Sequence, residues 1–100
     1  MPTSSSLRID TVDAGLVVSG VVDAHTAPQL AEALAAVADA ERIVLDLGDV
    51  DFIDSSGLRV LVDGHQRCAS TGATLVLSPV SEAVTRLLEL AGLVDHLVVE

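Results

Sequence analysis

The sequence predicts a single α/β domain built on a mainly parallel sheet. Three observations carry that prediction. The chain has 100 residues, the size of one domain. Short β-branched runs alternate with stretches of helical period, in the order β-β-α-β-α-β-α-β. Such alternation implies parallel strands joined by right-handed crossovers.

Residues 1–6, Met-Pro-Thr-Ser-Ser-Ser, form a polar, frayed tip, and residues 7–100 the domain. Leu7 to Val12 alternates as a half-buried strand. Asp13-Ala14-Gly15 has the length and final glycine of a hairpin link, so the strand Leu16–Gly20 is expected to return antiparallel beside the first. Thr26 is the expected N-cap of a helix over Ala27–Ala38, with Pro28 in the first turn, Gln29 at the capping-box position, and Leu30, Leu34 and Val37 on one face. Ile43–Leu47 has the short, β-branched character of a buried parallel strand. From Gly48 the chain is expected to leave the sheet as a loop. A second helix follows, with Leu58, Leu61, Val62, His65 and Cys68 at helical spacing, ending near Ser70 before Thr71-Gly72. Ala73–Leu77 is another strand, and Ser78-Pro79 a turn. Ser81 caps a third helix with an apolar face of Val84, Leu87, Leu88 and Ala91, and Gly92 stops it. Leu97-Val98-Val99 is a short final strand or tail.

Charge narrows the function. Five Arg and no Lys stand against fifteen Asp plus Glu, a net charge of −10. A phosphate backbone needs clustered cations, so direct nucleic-acid binding is excluded. One aromatic, Phe52, makes no stacking platform. An anionic membrane repels such a chain, and no apolar run approaches the ~20 residues of a span. The N-terminus lacks the pattern of a signal peptide, so a cytoplasmic protein is expected. A single cysteine excludes an internal disulfide and a multi-cysteine metal site.

Asp54-Ser55-Ser56-Gly57-Leu58 falls where a strand and the loop after it give way to a helix. A helix N-terminus offers unpaired N–H groups and the positive end of the dipole, a good place for a phosphate. One serine is expected to cap the helix while the other points outward. The local pattern alone favours plain N-capping, with Gly57 present for tight packing, over a serine that carries phosphate.

In this register, the segment from Val44-Leu45-Asp46-Leu47 to Phe52-Ile53-Asp54-Ser55-Ser56-Gly57-Leu58 resembles the signature of the STAS domain family, of the anti-sigma factor antagonist type. Gly20-Val21-Val22-Asp23-Ala24-His25-Thr26-Ala27 resembles the family's Gly-Glu-Leu-Asp-x-x-Thr-Ala segment, and the stretches Gly72–Leu77 and Leu90–Asp95 resemble its later landmarks. The resemblance implies a sheet of four to five strands with helices packed largely on one side. It implies a protein, not an enzyme, that binds an anti-sigma factor serine kinase and so releases sigma factor. The kinase phosphorylates Ser56 to end the contact, and a serine phosphatase resets it. Carried over residue by residue, Asp54, Ser55, Gly57 and Leu58 frame Ser56, and Asp23 and Thr26 belong to a neighbouring loop; His25 in that loop and Arg59 after the motif are expected at the same partner-binding surface. No cofactor or metal is implied. Two residues depart from the pattern. Val21 stands at the family's Glu position. Arg59 stands where small residues are frequent, opposed to the helix dipole yet in reach of a phosphate on Ser55 or Ser56. The alternative within the fold is a STAS domain that is not phosphorylated, serving as an accessory or ligand-binding part of another assembly such as a transporter.

Other chemistries fit less well. A nucleophile elbow needs Gly-x-Ser-x-Gly, and Ile53 or Asp54 occupies the first glycine position. Asp46, Asp49, Asp51 and Asp54 lack the spacing of an EF-hand. Cys68, on the apolar face of its helix, reads as an inert buried thiol. Together with Asp23, those four acids point to a basic partner surface. Phe52 fits either a buried place or that surface.

Overall fold

The computed structural model describes residues 6–13 and 15–100, so the expectation of a frayed tip falls mostly outside the described residues. Ser6 is described, and its carbonyl accepts from the Val21 N–H at 2.8 Å. Strand β1 (Leu7–Val12) pairs antiparallel with β2 (Gly15–Val22), as expected. In the connection Asp13 has a positive φ, 54°, and Gly15 is already paired in the strand. Gly15 is needed for a different reason: a Cβ there would lie 2.5 Å from the Val44 carbonyl oxygen of the adjoining strand.

The remaining elements are α1 (Ala27–Ala36), β3 (Arg42–Ile53), α2 (Ser55–Ser70), β4 (Thr74–Val80), α3 (Glu82–Ala91) and β5 (Val98–Val99). The strand order is β1-β2-β3-β4-β5, with every pair after the first parallel. Each crossover steps one strand further in the same direction. Right-handed crossovers that always step the same way place their helices on the same face. The core accordingly lies between that face and the helices, and joins Leu16, Val18, Leu45 and Leu77 of the sheet to Leu30, Leu61, Val84 and Leu88. No helix among the described residues covers the opposite face, where a shallow groove of about 400 Å³ is lined by Val12, Val17, Val44 and Asp46 among others.

Four expectations need correction. α1 stops at Ala36, because Val37 and Ala38 bond back three residues to Leu34 and Ala35 and tighten the chain before β3. β3 runs through Gly48 to Ile53 where a loop was expected. Its buried residues fall at 43, 45, 47, 50 and 53. The two steps of three match extra β3 residues in the pairing with β2, which shifts register twice. A bulge restores the inward direction after breaking the two-residue period. β4 likewise continues through Ser78 and Pro79, joined by a cis peptide, where its register with β3 is irregular. Ala91 is exposed, so the apolar face of α3 reduces to Val84, Leu87 and Leu88. Ser81 and Gly92 behave as expected. The Ser81 hydroxyl accepts from Val84 N–H at 3.2 Å, and Gly92 adopts φ 71°. The C-terminal residues form a short strand, β5, beside β4. No helix among the described residues is long and apolar enough to cross a membrane.

Candidate functional site

Parallel register brings two segments to one end of the sheet. Val22 ends β2 opposite Ile53 at the end of β3, and the Asp54 N–H donates to the Val22 carbonyl at 3.1 Å. The loop Asp23–Thr26 and the start of α2 are therefore neighbours, as the sequence suggests.

The helix cap is Asp54, not a serine. Its Oδ1 accepts from the Ser56 N–H at 2.9 Å and the Gly57 N–H at 3.3 Å. The Leu58 N–H donates to the Asp54 carbonyl at 3.0 Å. These amides were expected to be open to a phosphate; the aspartate holds them instead. Ser55 is exposed and Ser56 half-buried, both in the first turn. The Ser56 hydroxyl takes part in no hydrogen bond among the described residues. Gly57 is required by packing. A Cβ there would meet Val22 Cγ1 at 2.6 Å and Ile53 Cγ1 at 2.8 Å, so the first turn of α2 lies directly on the strand ends. Leu58 is half-buried against the core, and Arg59 projects outward.

Thr26 stands at the N-cap position of α1 but makes no side-chain cap, and its backbone is already helical. The capping box with Gln29 does not form, because the hydroxyl is drawn into the preceding loop. It donates to the Val21 carbonyl at 2.8 Å and accepts from the Asp23 N–H at 3.0 Å. Asp23 Oδ1 accepts from the His25 and Thr26 N–H groups at 2.9 and 3.1 Å. With Thr26 only 6% exposed, Asp23 and Thr26 shape the loop and leave His25 as its exposed polar side chain.

Phe52 is 50% exposed, beside Val21 in register on the sheet face away from the helices. Asp49 and Asp51 are exposed on the same strand. Asp46 does not belong with them. It pairs in register with Val17, well before the strand ends, and its carboxylate accepts from Gly48 N–H at 2.9 Å. Cys68 is buried and His65 half-buried on α2. Among the described residues no three His, Cys, Asp or Glu side chains converge as a metal site.

Five strands with this order, covered on one side by helices and displaying a serine motif at the parallel strand ends, define the class. The family model described as STAS domain matches residues 7–100, and the chain belongs to the STAS domain family. Within that family its curated relatives include the anti-sigma-B factor antagonist of Listeria monocytogenes, 40% identical over 88 residues, covering 86% of this chain and 77% of the relative. An anti-sigma factor antagonist from Mycobacterium paratuberculosis is similar in structure, with TM-score 0.73 at 31% identity over 99% of this chain and 87% of that one. The Bacillus cell fate determinant SpoIIAA in its phosphorylated form shares the fold, with TM-score 0.69 at 16% identity over 95% of this chain and 91% of that one.

Proposed function

We propose that this chain is an anti-sigma factor antagonist switched at Ser56. In the unmodified state it binds an anti-sigma factor, itself a serine kinase, through the sheet end made by the Asp23–Thr26 loop and residues 54–59. Sigma factor is thereby released. Transfer of the γ-phosphoryl group of ATP to the Ser56 hydroxyl oxygen, which releases ADP and the hydroxyl proton, ends the contact. A serine phosphatase restores it. The role is one of binding, and no catalytic residue is assigned.

One observation carries this reading: Ser56 lies in the Asp-Ser-Ser-Gly-Leu motif, at the exposed end of the sheet, in a chain similar to named anti-sigma factor antagonists. The physics of the switch supports it. Phosphorylation adds roughly −1.5 to −2 charge at neutral pH. The added charge arrives beside Asp54, which already holds the nearby amides. α2 is anchored by packing and by its cap, so the fold has no need of an unmodified Ser56. A partner surface fitted to a neutral hydroxyl would have to accept a dianion. The test is intact mass after incubation with candidate anti-sigma factor kinases and ATP. Gain of one phosphoryl group, absent in Ser56→Ala, is expected. Equal modification of Ser56→Ala would place the acceptor elsewhere.

A further inference from the structure

A phosphate on Ser56 finds few open donors and no charge partner among the first residues of α2. Asp54 holds the Ser56 and Gly57 amides, and the Asp54 carbonyl takes the Leu58 amide. Two of the donors that a helix N-terminus ordinarily presents to an anion are thus engaged, and among the described residues only the Ser55 amide of that turn is left to meet a phosphate. The charged neighbours are mostly acidic: Asp54 itself, Asp51 near the end of β3, and Asp23 in the β2–α1 loop, which also carries His25.

Arg59 is the cation in the right place. It lies three residues after Ser56, a spacing that puts two helical side chains on one face with Cβ atoms about 5–6 Å apart. Its present ion pair is a poor one. Nε stands 3.9 Å from Asp63 Oδ2, and the Arg59 side chain is 83% exposed. The order of that pair is also the weaker one. Helical side chains lean toward the N-terminus, so a cation pairs better with an anion one turn before it than one turn after. A phosphate on Ser56 supplies the better order. It also offers a higher charge and three acceptor oxygens to a planar fork of donors.

We propose that Arg59 is the internal ligand of a phosphate on Ser56, leaving Asp63 and folding back over the first turn of α2 when that serine is modified. The inference rests on reading Ser56 as the phosphoacceptor. It gives the switch two simultaneous changes: a dianion appears on the partner face, and the cation that face displayed is withdrawn.

Phosphoserine placed at position 56 during translation requires no kinase, which separates this contact from the functional reading. Phosphorus NMR then follows the second ionisation of the phosphate. A guanidinium in contact favours the dianion and lowers that pKa. At low salt the pKa is expected to be about 0.2–0.4 unit lower with Arg59 than in Arg59→Gln. The difference should shrink at high salt, and Arg59→Lys should keep part of it. Asp23, Asp51 and Asp54 raise the ionisation and a charged His25 lowers it, equally in both proteins, so the difference isolates Arg59. Asp63→Asn, which removes the competing carboxylate, is expected to enlarge it. Since Arg59 is exposed, thermal melts of the unmodified variants should coincide. Equal phosphate pKa values with Arg59 and with Gln overturn the proposal. A shifted pKa in a protein that no kinase modifies would leave the contact standing and remove the functional reading. Modification by a kinase with equal pKa values would do the reverse.

Discussion

Replacing Asp54 by Ala removes the acceptor of two amide donors at once, since Oδ1 holds both the Ser56 and Gly57 N–H groups. Loss of an N-cap ordinarily costs ~1 kcal/mol, with ~2 at the upper end. This cap is half-buried, doubly used and charged, beside the positive end of a 16-residue helix, which places it near the upper end. In a domain of this size each kcal/mol shifts the melting temperature by about 4–8 °C, so Asp54→Ala should melt roughly 6–16 °C lower. Asp54→Asn separates geometry from charge. Asparagine caps as well as aspartate, so only the charge–dipole part is lost, about 0.3–1 kcal/mol. Urea unfolding followed by circular dichroism, with the slope unchanged, measures both. An Ala variant as stable as the unaltered protein would refute the capping argument. So would an Asn variant as unstable as Ala.

Three further outcomes follow from the same contacts. Gly57→Ala forces a methyl group against Val22 and Ile53, and is expected to destabilise by about 1–3 kcal/mol in urea unfolding despite the better helix propensity of alanine. Thr26→Val keeps the shape but removes the hydroxyl that joins the Val21 carbonyl to the Asp23 N–H; a loss of about 1–3 kcal/mol is expected, and no loss would contradict the loop-building role. Phe52→Ser is expected to change stability by no more than about 1 kcal/mol because the ring is half-exposed. It should nonetheless weaken anti-sigma factor binding at least about tenfold in calorimetry, since the ring lies at the end of the sheet that carries the motif.

The sequence makes some elements of this fold plain and conceals others for definite reasons. Ser81 and Gly92 bracket α3 with local signals that nothing tertiary overrides. Leu58, Leu61, Val62, His65 and Cys68 of α2 recur at helical spacing, so the body of that helix is legible. β3 is not, because its bulges replace steps of two by steps of three between Leu47, Val50 and Ile53, and a strand broken in period looks like a loop. Pro79 reads as a turn, yet it sits in β4 where the pairing is irregular and no ladder amide is required. Thr26 carries a strong N-cap signal, but the Val21 carbonyl and Asp23 amide, close only once β2 has ended, compete for its hydroxyl. At the site, the motif and its neighbouring loop are visible in the sequence. Which residue caps is not, since Asp54, Ser55 and Ser56 all have capping side chains and only the backbone position of Asp54 decides among them. The packing role of Gly57 is legible in the motif; the residues it packs on, Val22 and Ile53, are not, since Val22 reaches it only through the sheet.

The central claim is that the state of Ser56 decides partner binding. Its most direct measurement is the affinity of an anti-sigma factor kinase for this protein with serine and with translationally installed phosphoserine at position 56, side by side. Weakening of about a hundredfold, equivalent to ~2.8 kcal/mol, is the predicted result. Equal affinity for the two forms would contradict it.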